Sequence, residues 1–182
     1  MQKEGFLMKK ISVRTMVVMA LLISLSIVLT RFLAIQFLPY ARFSLGSLPI
    51  YLAGLLLGPL AGGLTGAIAD MIGATLFSSG YYPPLTIPPA LIGVAAGLIR
   101  PLLLKHLRLA KVIVFTLSTD LIINGLLGSI ILGQLVGSPW ITLLPVRLPM
   151  ELVKAIAEGF LIFILYRRLN QAMDGTGDVA AR

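Results

Sequence analysis

Three long stretches of the chain, Phe43 to Ala69, Met71 to Ile99 and Leu121 to Val146, contain no charged side chain. Each can hold a spanning helix of roughly 20 residues. In a chain of 182 residues that is 58% hydrophobic and 12% charged, this apolar content exceeds what a soluble core of the same length needs. The sequence therefore reads as an all-α integral membrane protein, with no room for a soluble catalytic domain.

Breaking the hydrophobic mass at glycines, prolines and charge clusters predicts six transmembrane helices: Ser12 to Gln36, Gly46 to Gly58, Leu60 to Ser78, Pro88 to Leu104, Lys111 to Val136 and Pro145 to Arg168. The second is the weakest, because only 16 residues run from Phe43 to the Gly58-Pro59 break, so a short, tilted or partly re-entrant helix is expected. Lys3, Lys9, Lys10 and Arg14 precede the first span. Arg100, Lys105, Arg108 and Lys111 surround the fourth connection, and Arg167, Arg168 and Arg182 end the chain. Six crossings put all of these on one face, which the positive-inside rule makes cytoplasmic, along with both termini. The expected organisation is a cytoplasmic segment over 1–11, a membrane domain over 12–168 and a disordered polar tail over 169–182. The first apolar run ends at Arg31 without a small-residue cleavage site, so it reads as a retained helix rather than a signal peptide.

Topology does not ask for the three basic residues left on the external side, Arg31, Arg42 and Arg147. Interfacial snorkelling is one account of Arg31 and Arg42; reception of an anionic solute is the other. The polar residues within the spans point the same way. A charge at mid-depth costs about 2.5–3.5 kcal/mol on insertion scales, so Asp70 should face the bundle or a cavity. Gly58, Gly62 and Gly66 precede it at four-residue intervals and lay a groove along one helix face for close helix approach. Asp120, Asn124 and Gly128 repeat that spacing on the fifth span. On the sixth, Arg147, Glu151, Lys154 and Glu158 share one narrow angular sector. Pairing Arg147 with Glu151 and Lys154 with Glu158 would make this stripe an internal ion-pair ladder; for Arg147, Asp70 and Asn124, ligand contact is the reading we favour. The external connections supply Tyr40, Phe43, Tyr81, Tyr82 and Trp140. Such aromatics, with carboxylate, amide and guanidinium groups, suit a flat heteroaromatic ligand with an anionic end.

Enzymatic readings lack parts. There are no cysteines, which excludes disulfides, thiolate metal sites and cysteine nucleophiles. The single histidine, His106, falls in the basic loop, so neither a histidine metal site nor a Ser-His-Asp triad can be assembled. Nothing in the spacing selects Ser78 or Ser79 as a nucleophile. No P-loop is present, so solute movement would draw on a gradient or on a partner. No metal or cofactor is indicated. The net charge of +8 lies at helix ends, where topology accounts for it without nucleic acid.

The stretches RFSLGSLPIYLAGLLLGPLAGGLTGAIADMIG, GYYPPLTIPPALIG and SPWITLLPVRLP together resemble the substrate-binding (S) components of energy-coupling factor vitamin transporters, over roughly residues 12 to 168. The Arg-Phe-Ser loop, the Leu-Gly-Pro turn and the glycine-rich third helix carry the family resemblance. The Trp-to-Leu-Pro-x-Arg segment makes the chain most similar to the folate-binding branch. The resemblance implies a multi-pass protein of a prokaryotic cell membrane that captures a vitamin at its external face. It also implies a separate transmembrane coupling subunit, two cytoplasmic ATPases and transport by toppling of the S component. The family's small-xxx-small docking motif would be Ala20 and Ser24 here, with Ser in place of the usual Ala.

For folate, Asp70 is the candidate acceptor of adjacent pterin N–H groups, and Asn124 the reader of a neighbouring carbonyl or ring nitrogen. Arg31, Arg42 and Arg147 are the forks available for the glutamate carboxylates, Tyr81, Tyr82 and Trp140 the stacking or capping groups, and Glu151 a further site residue. Other readings stay open: an S component for thiamine, riboflavin or pantothenate; a proton-coupled carrier; or an intramembrane enzyme or scaffold using Asp70, Asp120 and Glu151.

Overall fold

The computed structural model describes residues 13–38, 41–77, 81–105 and 108–177, with side chains at 36–38, 41–42, 104 and 169–177 left outside the description. Helix α1 covers Val13–Arg31. A two-stranded antiparallel hairpin follows, β1 (Ile35–Leu38) and β2 (Ala41–Phe43), with Ile35 opposite Phe43. Then come α2 (Ser47–Leu57), α3 (Pro59–Phe77), a 3₁₀ turn at Pro83–Thr86 and α4 (Ile87–Lys105). Helix α5 (Leu109–Thr119) continues through a π-helical segment (Asp120–Leu127) into α6 (Gly128–Val136), and α7 (Trp140–Gly177) closes the bundle. Among the described residues the fold is thus six helical rods, with Leu109–Val136 as one of them.

Four of these stretches are long and apolar enough to cross a bilayer: Val13–Arg31, Pro59–Phe77, Pro83–Leu103 and Leu109–Val136. Helix α2 has 11 residues, about 16 Å at 1.5 Å per residue, and so is the short helix expected from its sequence. Helix α7 has ample length but carries the charged stripe along its middle. Outward-facing Leu21, Leu60, Leu98 and Leu102 are each more than 60% exposed, as suits side chains turned toward lipid.

Three boundaries differ from the sequence reading. The first span stops at Arg31 rather than Gln36, because residues from Ile35 pair into the hairpin with Ala41–Phe43. The last begins at Trp140 rather than Pro145. Both Pro145 and Pro149 lie inside it, and the first turn is started by Thr142 donating to the Pro139 carbonyl from its N–H at 3.0 Å and from its hydroxyl at 2.6 Å. Its backbone continues to Gly177, past Gln171, where a disordered tail was expected; Gln171, Ala172 and Met173 are good helix formers and extend the preceding turns. The N-terminal segment 1–12 and residues 178–182 lie outside the described residues.

The bundle is held at its centre by backbone approach. Gly54 of α2, Gly62 of α3 and Gly93 of α4 meet at one point: a Cβ on Gly54 would lie 2.5 Å from the Gly93 carbonyl oxygen, and one on Gly93 would lie 2.8 Å from the Gly63 nitrogen. Gly66 meets the Pro89–Ala90 backbone and Gly97 meets Pro59 in the same way. The glycine groove read from the spacing therefore holds α4, although Gly58 itself is the turn residue between α2 and α3, at φ 100°. Beside this seam Tyr51, Ile92, Val112 and Ile162 form an apolar core with almost no exposure.

Candidate functional site

The glycine seam runs from Pro59 to Gly66 on α3 and from Pro89 to Gly97 on α4, so the second half of α3 extends past the start of α4. A cavity of about 430 Å³ opens there between α1, the start of α2, α3, α4, the π-helical segment, α6 and α7. Its wall carries Arg31, Asp70, Tyr82, Asn124, Arg147, Glu151 and Lys154.

Asp70 continues the face of Gly62 and Gly66 and emerges opposite the beginning of α4. There Thr86 donates to Asp70 Oδ2 at 2.9 Å, and the Thr86 hydroxyl is itself 3.1 Å from the Tyr81 hydroxyl. Tyr81 thus stands behind the wall, reaching the cavity through Thr86 and Asp70, while Tyr82 lines it directly. Arg31 lies against Gly73 on α3, where a Cβ would come 3.0 Å from its Nε; the glycine leaves room for the guanidinium to turn inward. Gly128 does the same for Arg147, whose Nη2 donates to the Asn124 carbonyl at 3.2 Å. The π-helical segment carries both Asp120 and Asn124, and such segments are rare and concentrate at functional sites. The Asn124 amide nitrogen donates to Asp120 Oδ1 at 2.8 Å.

The charged stripe of α7 is real, but its pairing differs from the expected ladder. Lys154 forms its ion pairs with Glu151, three residues back, and with Asp120 across the helix interface at 3.6 Å, not with Glu158. Asp120 wins because the π-helical segment directs it into the same buried layer. Removing the cation would strand buried carboxylates, which costs about 3–5 kcal/mol. Lys154→Met should therefore lower thermal stability in detergent sharply, and an unchanged unfolding temperature would show that Lys154 neutralises nothing.

Of the other sequence candidates, Trp140 is 39% exposed and packs on Gly133 away from the cavity wall. The side chains of Arg42 and Tyr40 lie outside the described residues, as do His106, Ser78 and Ser79. Ala20 and Ser24 sit on the exposed face of α1 between Val17, Leu21 and Leu25, with the Ser24 hydroxyl turned back to the Ala20 carbonyl at 2.9 Å. Two features of the site escaped the sequence reading. Thr86, which holds Asp70 from beside the wall, gave no signal, being one hydroxyl in a proline-rich connection, and Lys154 was legible in the stripe but was not among the residues favoured for ligand contact.

A charged, partly enclosed cavity among apolar helices is the kind of place in which a membrane protein can hold a small polar solute. The family described as ECF transporter, substrate-specific component, matches residues 14–166, and the chain belongs to that family. It is a multi-pass bacterial membrane protein and a non-enzymatic transport subunit. It is 34% identical over 168 residues to the folate transporter FolT of Clostridium novyi (strain NT), covering 90% of this chain and 93% of that one. Among solved structures, FolT bound with folic acid superposes with a TM-score of 0.75 at 25% identity, covering 86% of this chain and 95% of that one. The S component for biotin from an ECF-type ABC transporter shares the fold, with a TM-score of 0.66 at 21% identity over 85% of this chain and 92% of that one.

Proposed function

We propose that this chain captures folate, or a close pterin relative, for uptake powered by separate ECF subunits. The observation that carries this reading is the meeting, in one cavity of about 430 Å³, of a carboxylate, Asp70, with two guanidinium groups, Arg31 and Arg147. That volume falls in the range of about 300–1,000 Å³ typical of small-molecule sites. A pterin offers adjacent N–H donors that one carboxylate accepts as a pair, and the glutamate tail offers carboxylates that match guanidinium forks. Tyr82 supplies a flat apolar face, and Asn124 braces Arg147 and Asp120 from the wall. The 34% identity to a folate transporter supports the same ligand.

The cavity is assigned to the external side, with both termini cytoplasmic, by the distribution of basic residues. The exposed Ala20 and Ser24 face of α1 is the proposed docking surface for the transmembrane coupling subunit, with two ATPases beneath it.

Equilibrium binding to the purified chain alone, without nucleotide, tests the ligand. Folate should bind tightly while thiamine, riboflavin and pantothenate do not, and preference for one of those three would discard the pterin assignment. Arg147→Ala should weaken folate by about 10- to 100-fold, the loss of one charge-assisted contact, and a tail-less pterin much less. Equal losses for both ligands would make Arg147 a wall residue only.

A further inference from the structure

The connection YYPPLTIPP, leading into α4, holds two adjacent tyrosines and one threonine hydroxyl that take separate places. Tyr82 is extended, at φ −113° and ψ 102°, and successive side chains of extended backbone point to opposite sides. Tyr82 accordingly lines the cavity while Tyr81 does not, and the Tyr81 hydroxyl instead comes 3.1 Å from that of Thr86. Thr86 ends the 3₁₀ turn and is likewise absent from the wall; its hydroxyl reaches the cavity only through Asp70 Oδ2, at 2.9 Å. The two contacts of Thr86 cannot use the same proton. A threonine hydroxyl carries one, and Thr86 gives it to Asp70, so toward Tyr81 the Thr86 oxygen only accepts. Tyr81 is therefore the donor, and the chain runs one way, from Tyr81 to Thr86 to Asp70.

The backbone beneath this chain has little freedom. Pro83 and Pro84 fix φ at the start of the turn, the Leu85 N–H donates to the Tyr82 carbonyl at 3.0 Å, and the Ile87 N–H donates to the Pro84 carbonyl. Pro88 and Pro89 then set the first turn of α4, which is seated on α3 where Gly66 meets the Pro89–Ala90 backbone. Asp70 lies four residues beyond Gly66 on the same helix face, so the contact between α3 and α4 that holds the carboxylate's helix also holds the turn that carries the hydroxyl. Threonine suits the task of aiming a donor, because a β-branched side chain is stiff at χ1.

We propose that Thr86 is a positioning residue for solute capture: oriented by Tyr81, it fixes the plane of the Asp70 carboxylate, so that Asp70 meets paired N–H donors of the solute as a preset acceptor. The assignment rests on the folate reading above. A carboxylate accepts two parallel N–H groups only when its plane matches theirs, and an undirected one loses its rotational freedom at the moment of binding, which weakens the complex. A contact that merely tied the turn to α3 would act on stability and not through Asp70.

Folate titrations of the purified chain test this as a double-mutant cycle between Asp70→Asn and Thr86→Val, which keeps the branched shape and removes the hydroxyl. Thr86→Val should weaken folate by about tenfold, and Thr86→Ser should restore most of the affinity. Tyr81→Phe should cost about threefold, because solvent can replace part of the donation at a tyrosine that is 37% exposed. In the Asp70→Asn background Thr86→Val should add less than about twofold, since the carboxylate that it sets is gone. Wild-type affinity in Thr86→Val, beside a weakened Asp70→Asn, would overturn the positioning role and leave the folate reading standing. So would an equal fold-loss in both backgrounds, or a loss that Thr86→Ser does not repair, since either describes packing of the turn. No folate binding by the folded wild-type chain would overturn the folate reading, and this assignment with it. Should Thr86→Val not fold, Tyr81→Phe in the two backgrounds decides by the same criteria.

Discussion

Gly93→Val should yield no stable, monodisperse protein. At Gly93 the backbones of three helices meet, and a side chain there would overlap the Gly62 and Gly63 backbone rather than the movable end of a side chain. Ordinary overpacking costs about 1–3 kcal/mol because neighbouring side chains yield, and here none is available to yield. Relief would require α4 to withdraw from α3, breaking the contact of Gly54 with Gly93 as well. The check is size-exclusion behaviour and thermal unfolding in detergent, with Gly137→Ala as a control. Gly137 caps α6 at φ 69° with open space around it, so alanine there meets backbone strain but no clash. A Gly93→Val protein as stable as that control would mean that the seam is not what holds the bundle.

Asp70→Asn should weaken folate binding by about 100-fold or more while leaving the fold intact. The substitution removes the negative charge and turns one acceptor toward the ligand into a donor, so two charge-assisted hydrogen bonds worth about 1.5–3 kcal/mol each are lost or opposed. The contact of Asp70 with Thr86 survives the change, because the Thr86 hydroxyl that donates to Oδ2 can donate to the amide oxygen equally well. Titration of folate against the purified variant, alongside its unfolding temperature, separates the two effects. Unchanged affinity would remove Asp70 from the site, and a parallel collapse in stability would make it a structural residue.

These two residues were legible in the sequence to different degrees. Gly62, Gly66 and Asp70 announce one helix face by spacing alone, since the α-helical period places every fourth residue along nearly the same line. The partner of that face was not legible: Gly93 and Gly97 on α4 carry no signature that distinguishes a contact with α3 from any other small-residue face. The stripe on α7 was likewise visible from its offsets, yet its pairing was not. Lys154 sits four residues before Glu158 and three after Glu151, and either pairing satisfies helix geometry. Asp120, more than thirty residues earlier in the chain, tips the choice because the π-helical segment turns it into the same layer.

What the sequence determined by itself was the solvent. Long charge-free runs bounded by glycine, proline and basic clusters leave no alternative to a helical membrane bundle, and the order of its segments carries the family. The tertiary structure alone decided which polar groups meet. It brought Arg31, Asp70 and Arg147, from α1, α3 and α7, to one cavity, left Trp140 outside it, and set Lys154 of α7 against Asp120 of the π-helical segment. The physical reason is that helical periodicity reports only that a polar residue must avoid lipid, whereas its partner depends on how closely backbones approach. In this bundle, glycines on neighbouring helices set that distance.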